Sequence, residues 1–105
     1  MTDLTSQEWQ EKIKEDANAV IVDVRTQDEV DEGHIPGALH FDIYQGPAFL
    51  ENLKGLDSEK NYYVYCRSGG RSVQACAVMQ SVGITNIFNL LEGFSQWDGE
   101  ISNEL

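Results

Sequence analysis

The sequence predicts an α/β fold, a parallel sheet covered by helices on both faces. Three observations predict it. Short runs rich in β-branched and aromatic residues alternate with amphipathic stretches along the whole chain. Two prospective helix starts carry capping boxes, Thr5-Ser6-Gln7-Glu8 and Thr26-Gln27-Asp28-Glu29. No repeat, low-complexity tract or Pro/Gly/Ser-rich linker divides the 105 residues, so residues 1–105 read as a single domain.

The elements follow in order. Behind Thr5, Trp9 and Ile13 stand at i, i+4 and predict a helix over about residues 6–15. Ala19-Val20-Ile21-Val22 predicts a buried strand ending near Asp23-Val24. Thr26 opens a short helix that ends at Gly33. His34-Ile35-Pro36-Gly37 reads as a turn and Ala38-Leu39-His40-Phe41 as another short strand. Pro47 suits the first turn of a helix carrying Phe49, Leu50 and Leu53. Tyr62-Tyr63-Val64-Tyr65 is a strand, and Ser72 to Val82 a helix closed by Gly83. The apolar stripe of that helix, Ala75, Val78, Met79 and Val82, is widened by Val73, Cys76 and Ala77. Such a helix is expected to be largely buried, with Cys76 in the core. Ile87-Phe88-Asn89-Leu90 is the last strand and Gly93 to Trp97 a final helical turn.

Composition excludes several functions. The 7 Lys and Arg against 18 Asp and Glu give a formal net charge of −11. Nucleic acid and anionic lipid both demand cationic surface, so neither is an expected partner. High negative charge favours a soluble monomer. No run approaches the roughly 18–20 apolar residues of a membrane span, and the N-terminus has no secretory pattern. Cys66 and Cys76 are too few for a disulfide scaffold and too far apart for a C-x-x-C pair. The expected location is cytoplasmic, with both thiols reduced.

Ligands of parallel sheets gather beyond the carboxyl ends of the strands. One strand end carries chemistry: Tyr65, then Cys66-Arg67-Ser68-Gly69-Gly70-Arg71-Ser72, then a helix. A helix N-terminus offers unpaired N–H groups and positive partial charge. A tight loop can turn further amides inward as an anion nest. Arg67 and Arg71 are the only charged residues between Lys60 and Glu92, so the loop is expected to be a positive spot on an acidic protein. Such surroundings lower a thiol pKa from about 8.5 into roughly the 3.5–7.5 range. The reading requires a perturbed thiol that is not sealed in the interior. His34 and His40 invite a Cys–His arrangement, but nothing in the sequence places either beside Cys66. His34, in a turn, is expected to bond backbone. Asp23, Glu29 and Glu92 are expected to be solvated or structurally paired rather than to form an acid/base set.

These residues resemble a single-domain rhodanese over nearly the whole chain. Asp23-Val24-Arg25, with Glu29 and Gly33-His34-Ile35-Pro36-Gly37-Ala38, is similar to the family's first signature, and Tyr65 to Ser72 to its active-site loop. Leu91-Glu92-Gly93-Phe94 with Trp97 is similar to its C-terminal signature, with Glu92 where many members have glycine. The resemblance implies a doubly wound domain with a mostly parallel sheet of about four or five strands. It implies a sulfurtransferase. Cys66 accepts sulfane sulfur from an anionic donor such as thiosulfate or a persulfide, then passes it to cyanide, a thiol or a protein acceptor. The backbone amides of residues 67–71 surround the sulfur, Arg67 and Arg71 bind the donor, and Asp23 and Arg25 support fold and loop. The chemistry requires no metal or organic cofactor. Two alternatives stay open: a persulfide carrier or regulatory binding module, and a phosphatase or arsenate reductase. The latter use a wider Cys-x5-Arg loop, where this chain has Cys-x4-Arg.

Overall fold

The computed structural model describes residues 1–103. In chain order the elements are β1 (Thr2–Leu4), α1 (Ser6–Lys14), β2 (Ala19–Asp23), α2 (Gln27–Glu32), β3 (Leu39–His40), α3 (Pro47–Lys54), β4 (Asn61–Tyr65), α4 (Gly70–Ser81) and β5 (Ile87–Leu90). Turns of 3-10 helix follow at Ile43–Gln45 and Phe94–Gln96. The five strands form one sheet in the order β1-β5-β4-β2-β3, with every pair parallel. Val22 of β2 lies beside Val64 of β4, and Val64 beside Asn89 of β5. The strand that ends in the cysteine loop is therefore the central one.

β4 shows why the sheet needs helices on both sides. Its side chains alternate between two apolar layers. Tyr62 and Val64 pack with Val22, Phe49, Leu53, Cys76 and Met79, the layer under α3 and α4. Tyr63 and Tyr65 face the other way, onto Trp9 of α1, Ile35 and Leu90. Trp9 is fully buried and meets Tyr63, Tyr65 and Trp97 edge-on, with centroids 5.9, 6.1 and 5.5 Å away. Both capping boxes form: Thr5 with Glu8 opens α1, and Thr26 with Glu29 opens α2. Among the described residues no helix is long and apolar enough to cross a membrane.

The structure departs from the sequence reading in four places. β1 was not legible: it is three residues of an edge strand, exposed except at Leu4, so it carries no apolar pattern. β3 is two residues rather than four. α4 starts at Gly70 instead of Ser72, because Gly69 makes the left-handed bend that begins the helix. The buried face of α4 is narrower than expected: Ser72, Ala75, Cys76 and Met79 are buried, whereas Val73 is 43% exposed.

Candidate active site

The site is built where β4 gives way to α4. The β4 ladder ends at Tyr65, so Cys66 is the first residue released from the sheet. Its Sγ points under the following loop, accepts the Gly69 N–H at 3.0 Å and lies 3.4 Å from Ser72 Oγ. Ser72 Oγ also donates to the Gly69 carbonyl at 3.1 Å, tying the bend to the first turn of α4. Gly69 has φ of +100°, and a Cβ there would stand 2.6 Å from the Leu91 carbonyl oxygen. No L side chain fits the position, because both the backbone and the space forbid it.

The other side of the loop is braced by the segment after β5. The N–H of Phe94 donates to the Cys66 carbonyl at 2.8 Å, and that of Ser95 to the Arg67 carbonyl at 2.9 Å. Gly93, with φ of +72°, passes so close to Arg67 that a Cβ would collide with its carbonyl group. The Gly93-Phe94 pair, the least specific motif in the sequence, is thus a direct brace of the cysteine loop.

A buried ion pair lies behind Cys66. Arg25 Nη2 reaches Asp23 Oδ2 at 2.7 Å and the Gly33 carbonyl at 2.8 Å. The Tyr65 hydroxyl donates to Asp23 Oδ2 at 2.6 Å and accepts the Ile35 N–H at 3.0 Å. The Arg25 guanidinium stacks over Phe94, 4.4 Å from its ring centroid. Asp23 and Arg25 therefore stand one residue away from Cys66 through Tyr65. His34 bonds backbone, with Nδ1 3.1 Å from the Val30 carbonyl oxygen, and His40 Nε2 lies 2.6 Å from that of Arg25.

The two loop arginines part company. Arg71 grips Glu29 with two hydrogen bonds of 2.6 and 2.8 Å, and Glu29 also caps α2. Those bonds hold the Glu29 carboxyl at a pKa of about 2, well below the usual carboxylate range. In return Glu29 raises the pKa of Arg71. Both arginines still bring positive charge to the loop, but Arg71 shares its charge with Glu29. Arg67 is exposed and makes no ion pair or side-chain hydrogen bond among the described residues. Ser68 and Gly70 are exposed as well.

Burial raises the pKa of the Cys66 thiol. The Ser72 side chain and the backbone N–H groups of Ser72, Gly69 and Ser68, with Gly69 bonded to Sγ directly, lower it, and together they win. The titration requirement is met in direction. The access requirement is not: Cys66 is 1% exposed, covered by its own loop, so the expectation of an unsealed thiol is corrected. The amide of Gly69 that bonds Sγ belongs to that same loop. Beside the loop, under α2, lies a cavity of about 410 Å³ lined by Arg25, Glu29, Glu32, Arg67, Phe94 and Ser95.

Sequence reasoning missed Tyr65 as the link to Asp23 and Glu29 as the partner of Arg71. Glu29 is 42 positions away from Arg71 in the chain, and its only local signal was the capping box. Among the described residues no group of His, Cys, Asp and Glu could hold a metal ion.

Comparison with known proteins gives the family and the fold. Residues 6–100 match the family profile described as a rhodanese-like domain. The chain is 38% identical to YtwF of Bacillus subtilis, over 86% of this chain and 84% of that protein. It is 35% identical to the thiosulfate sulfurtransferase GlpE of Coxiella burnetii, over 74% of this chain and 70% of that one. Among solved structures, the rhodanese-like domain protein from Staphylococcus aureus superposes with a TM-score of 0.85 at 29% identity and covers 100% of both chains.

Proposed function

The chain belongs to the rhodanese-like domain family, and from that premise we propose that it moves sulfane sulfur through a persulfide on Cys66. The observation that carries the reading is the set of hydrogen bonds around Sγ, which lowers the thiol pKa in spite of burial. An ionised sulfur held by amides is a nucleophile whose persulfide product, also an anion, is stabilised by the same donors. With thiosulfate, the Cys66 thiolate attacks the outer sulfur. A new S–S bond forms, the bond to the sulfonate sulfur breaks, and sulfite leaves with the electron pair. An acceptor thiolate then attacks the outer sulfur of the persulfide, and the Cys66 thiolate departs.

The residues divide the work. Cys66 carries the sulfur. The amides of Ser68, Gly69 and Ser72 and the Ser72 hydroxyl hold its charge. Arg67, Ser68 and Gly70 form the exposed cover that must part for a donor. Arg67 is the cation free to meet the donor, while Arg71 holds the loop to α2 and lends its field from there. Asp23 and Arg25 hold Tyr65 and, through Phe94, the back of the loop. The phosphatase alternative loses ground here. It needs an arginine free to clasp a tetrahedral oxyanion, and Arg71 is occupied by Glu29 on a loop already one residue short.

Intact-mass measurement after thiosulfate treatment tests the proposal. One added sulfur, mapped to Cys66 and removed by a reductant, is expected. Cys66→Ser should fold normally, take up no sulfur and transfer none. Sulfur transfer that persists in Cys66→Ser would refute the assignment.

A further inference from the structure

The cavity beside the loop has a charge pattern that the donor chemistry uses only in part, through Arg67. Its lining carries four charged side chains, Arg25, Glu29, Glu32 and Arg67. Arg25 is neutralised by Asp23 and Glu29 by Arg71. Glu32 and Arg67 remain, both exposed and neither with a side-chain hydrogen bond or ion pair among the described residues. The site thus offers one free carboxylate and one free guanidinium, with the Phe94 ring and Ser95 between the paired charges and the loop. The Ser95 amide is bonded to Arg67, and the Phe94 amide to Cys66 itself. The cavity also touches both ends of the cysteine loop, at Arg67 and, through Glu29, at Arg71. At about 410 Å³ it lies within the usual range of small-molecule sites.

We propose that this cavity is the acceptor site and that it selects a small zwitterionic thiol, an α-amino acid bearing a sulfhydryl. The carboxylate of the acceptor pairs with Arg67 and its ammonium with Glu32, which leaves the thiol to reach the sulfur on Cys66. A dianion matches poorly, because Glu29 and Glu32 bring as much negative charge to the lining as the arginines bring positive. The proposal rests on the sulfur-transfer reading and names its acceptor. The step balances. The acceptor thiolate bonds to the outer sulfur of Cys66–S–SH, the inner S–S bond breaks, and its electron pair leaves on the Cys66 thiolate. The products are the acceptor persulfide and the resting enzyme, with no net oxidation.

Discharge of the persulfide tests this apart from its formation. The protein is loaded with thiosulfate or, where a variant loads poorly, with polysulfide. Loss of the added sulfur is then followed by intact mass with four thiols. Cysteine carries both charges, cysteamine the ammonium alone, 3-mercaptopropionate the carboxylate alone, and 2-mercaptoethanol neither. Each rate is divided by the rate of the same thiol with a small disulfide in solution, which removes differences in thiol reactivity. Each ionic contact is expected to be worth roughly threefold, so cysteine should exceed 2-mercaptoethanol by about tenfold. Arg67→Gln should remove the advantage of the carboxylate and keep that of the ammonium; Glu32→Gln should do the reverse. Equal normalised rates for all four thiols with native protein overturn the acceptor site and leave sulfur transfer standing. So do advantages that persist in both variants. Failure of Cys66 to load with either donor takes down both readings.

Discussion

Cys66 and Cys76 have the same covalent chemistry and nearly the same exposure, 1% and 0%, and both belong to the apolar layer under α4. Their acidities go opposite ways. Burial pushes Cys76 up to about 12, and the weaker pulls of the N-terminal ammonium and the backbone do not offset it. The same penalty acts on Cys66 and loses to the Ser72 side chain and the backbone N–H groups of Ser72, Gly69 and Ser68. Exposure therefore does not distinguish the more acidic from the less acidic thiol in this chain. The direction of nearby N–H groups does, and that direction follows from the place where the strand stops. Position 66 is the first beyond a strand, where amides turn inward. Position 76 is inside a helix, where the backbone N–H groups serve mainly the helix's own carbonyls.

The harshest way to break the contrast is Gly69→Ala. The position has φ of +100°, and a methyl group would press on the Leu91 carbonyl oxygen. The bend must open, which moves the Gly69 N–H off Sγ and the first turn of α4 with it. Misplacing such a group by about 1 Å costs roughly 100-fold in rate, and a loss of that order in sulfur transfer is expected. The companion measurement is the pH dependence of Cys66 alkylation, whose midpoint should climb toward that of an unperturbed thiol at about 8.5. Native-like alkylation would show that the Gly69 amide does not set the acidity.

That prediction also marks how far the sequence could be read. The Cys66 loop was legible because its parts are local: strand end, glycines, arginines and helix start fall within eight residues, 65 to 72. The two-faced sheet was legible because β2, β4 and β5 are short apolar runs. What decides the behaviour of the loop is remote in sequence. Glu29 pairs with Arg71, and Gly93 and Phe94 close the back of the loop. Local spacing encodes neither, because each depends on how β5 and α2 pack beside β4. The burial of Cys66 escaped for the same reason: a loop's composition does not say whether its amides face outward or fold over the sulfur.

Ser72→Ala sharpens the comparison more gently. It removes the hydroxyl 3.4 Å from Sγ and leaves the backbone amides in place. One hydrogen bond of ordinary net worth corresponds to a loss of roughly three- to tenfold in transfer rate near neutral pH. The alkylation midpoint should move up, by less than in Gly69→Ala. An unchanged midpoint would assign the whole effect to the amides.

Cys76→Ala should have the smallest effect on function, with transfer within about twofold of native, and it tests the other half of the contrast through stability. At neutral pH the loss of a buried sulfur from the α4 layer is expected to cost about 1 kcal/mol. The sign of the pH dependence then reverses the ranking. Cys76 keeps its proton in the folded chain up to about 12, whereas in the unfolded chain it ionises near 8.5. A raised folded-state pKa gives stability that is complete below the unfolded value and is lost as pH rises toward the folded one, at up to about 1.4 kcal/mol per pH unit. Cys76→Ala lacks that loss. Tyr63, Tyr65 and Cys66 titrate in both proteins and cancel from the difference. The alanine variant should therefore be the less stable protein at pH 7 and become the more stable one at about pH 10, as read by denaturant midpoints across that range. Parallel curves would mean that Cys76 ionises as easily folded as unfolded, and the two thiols would no longer be opposites. Cys66 gives the reverse sign: its depressed pKa adds stability above the unfolded value that is lost as pH falls through the folded one. A Cys66→Ser curve should therefore converge on the native curve toward acid, where the Cys76→Ala curve shows no such trend.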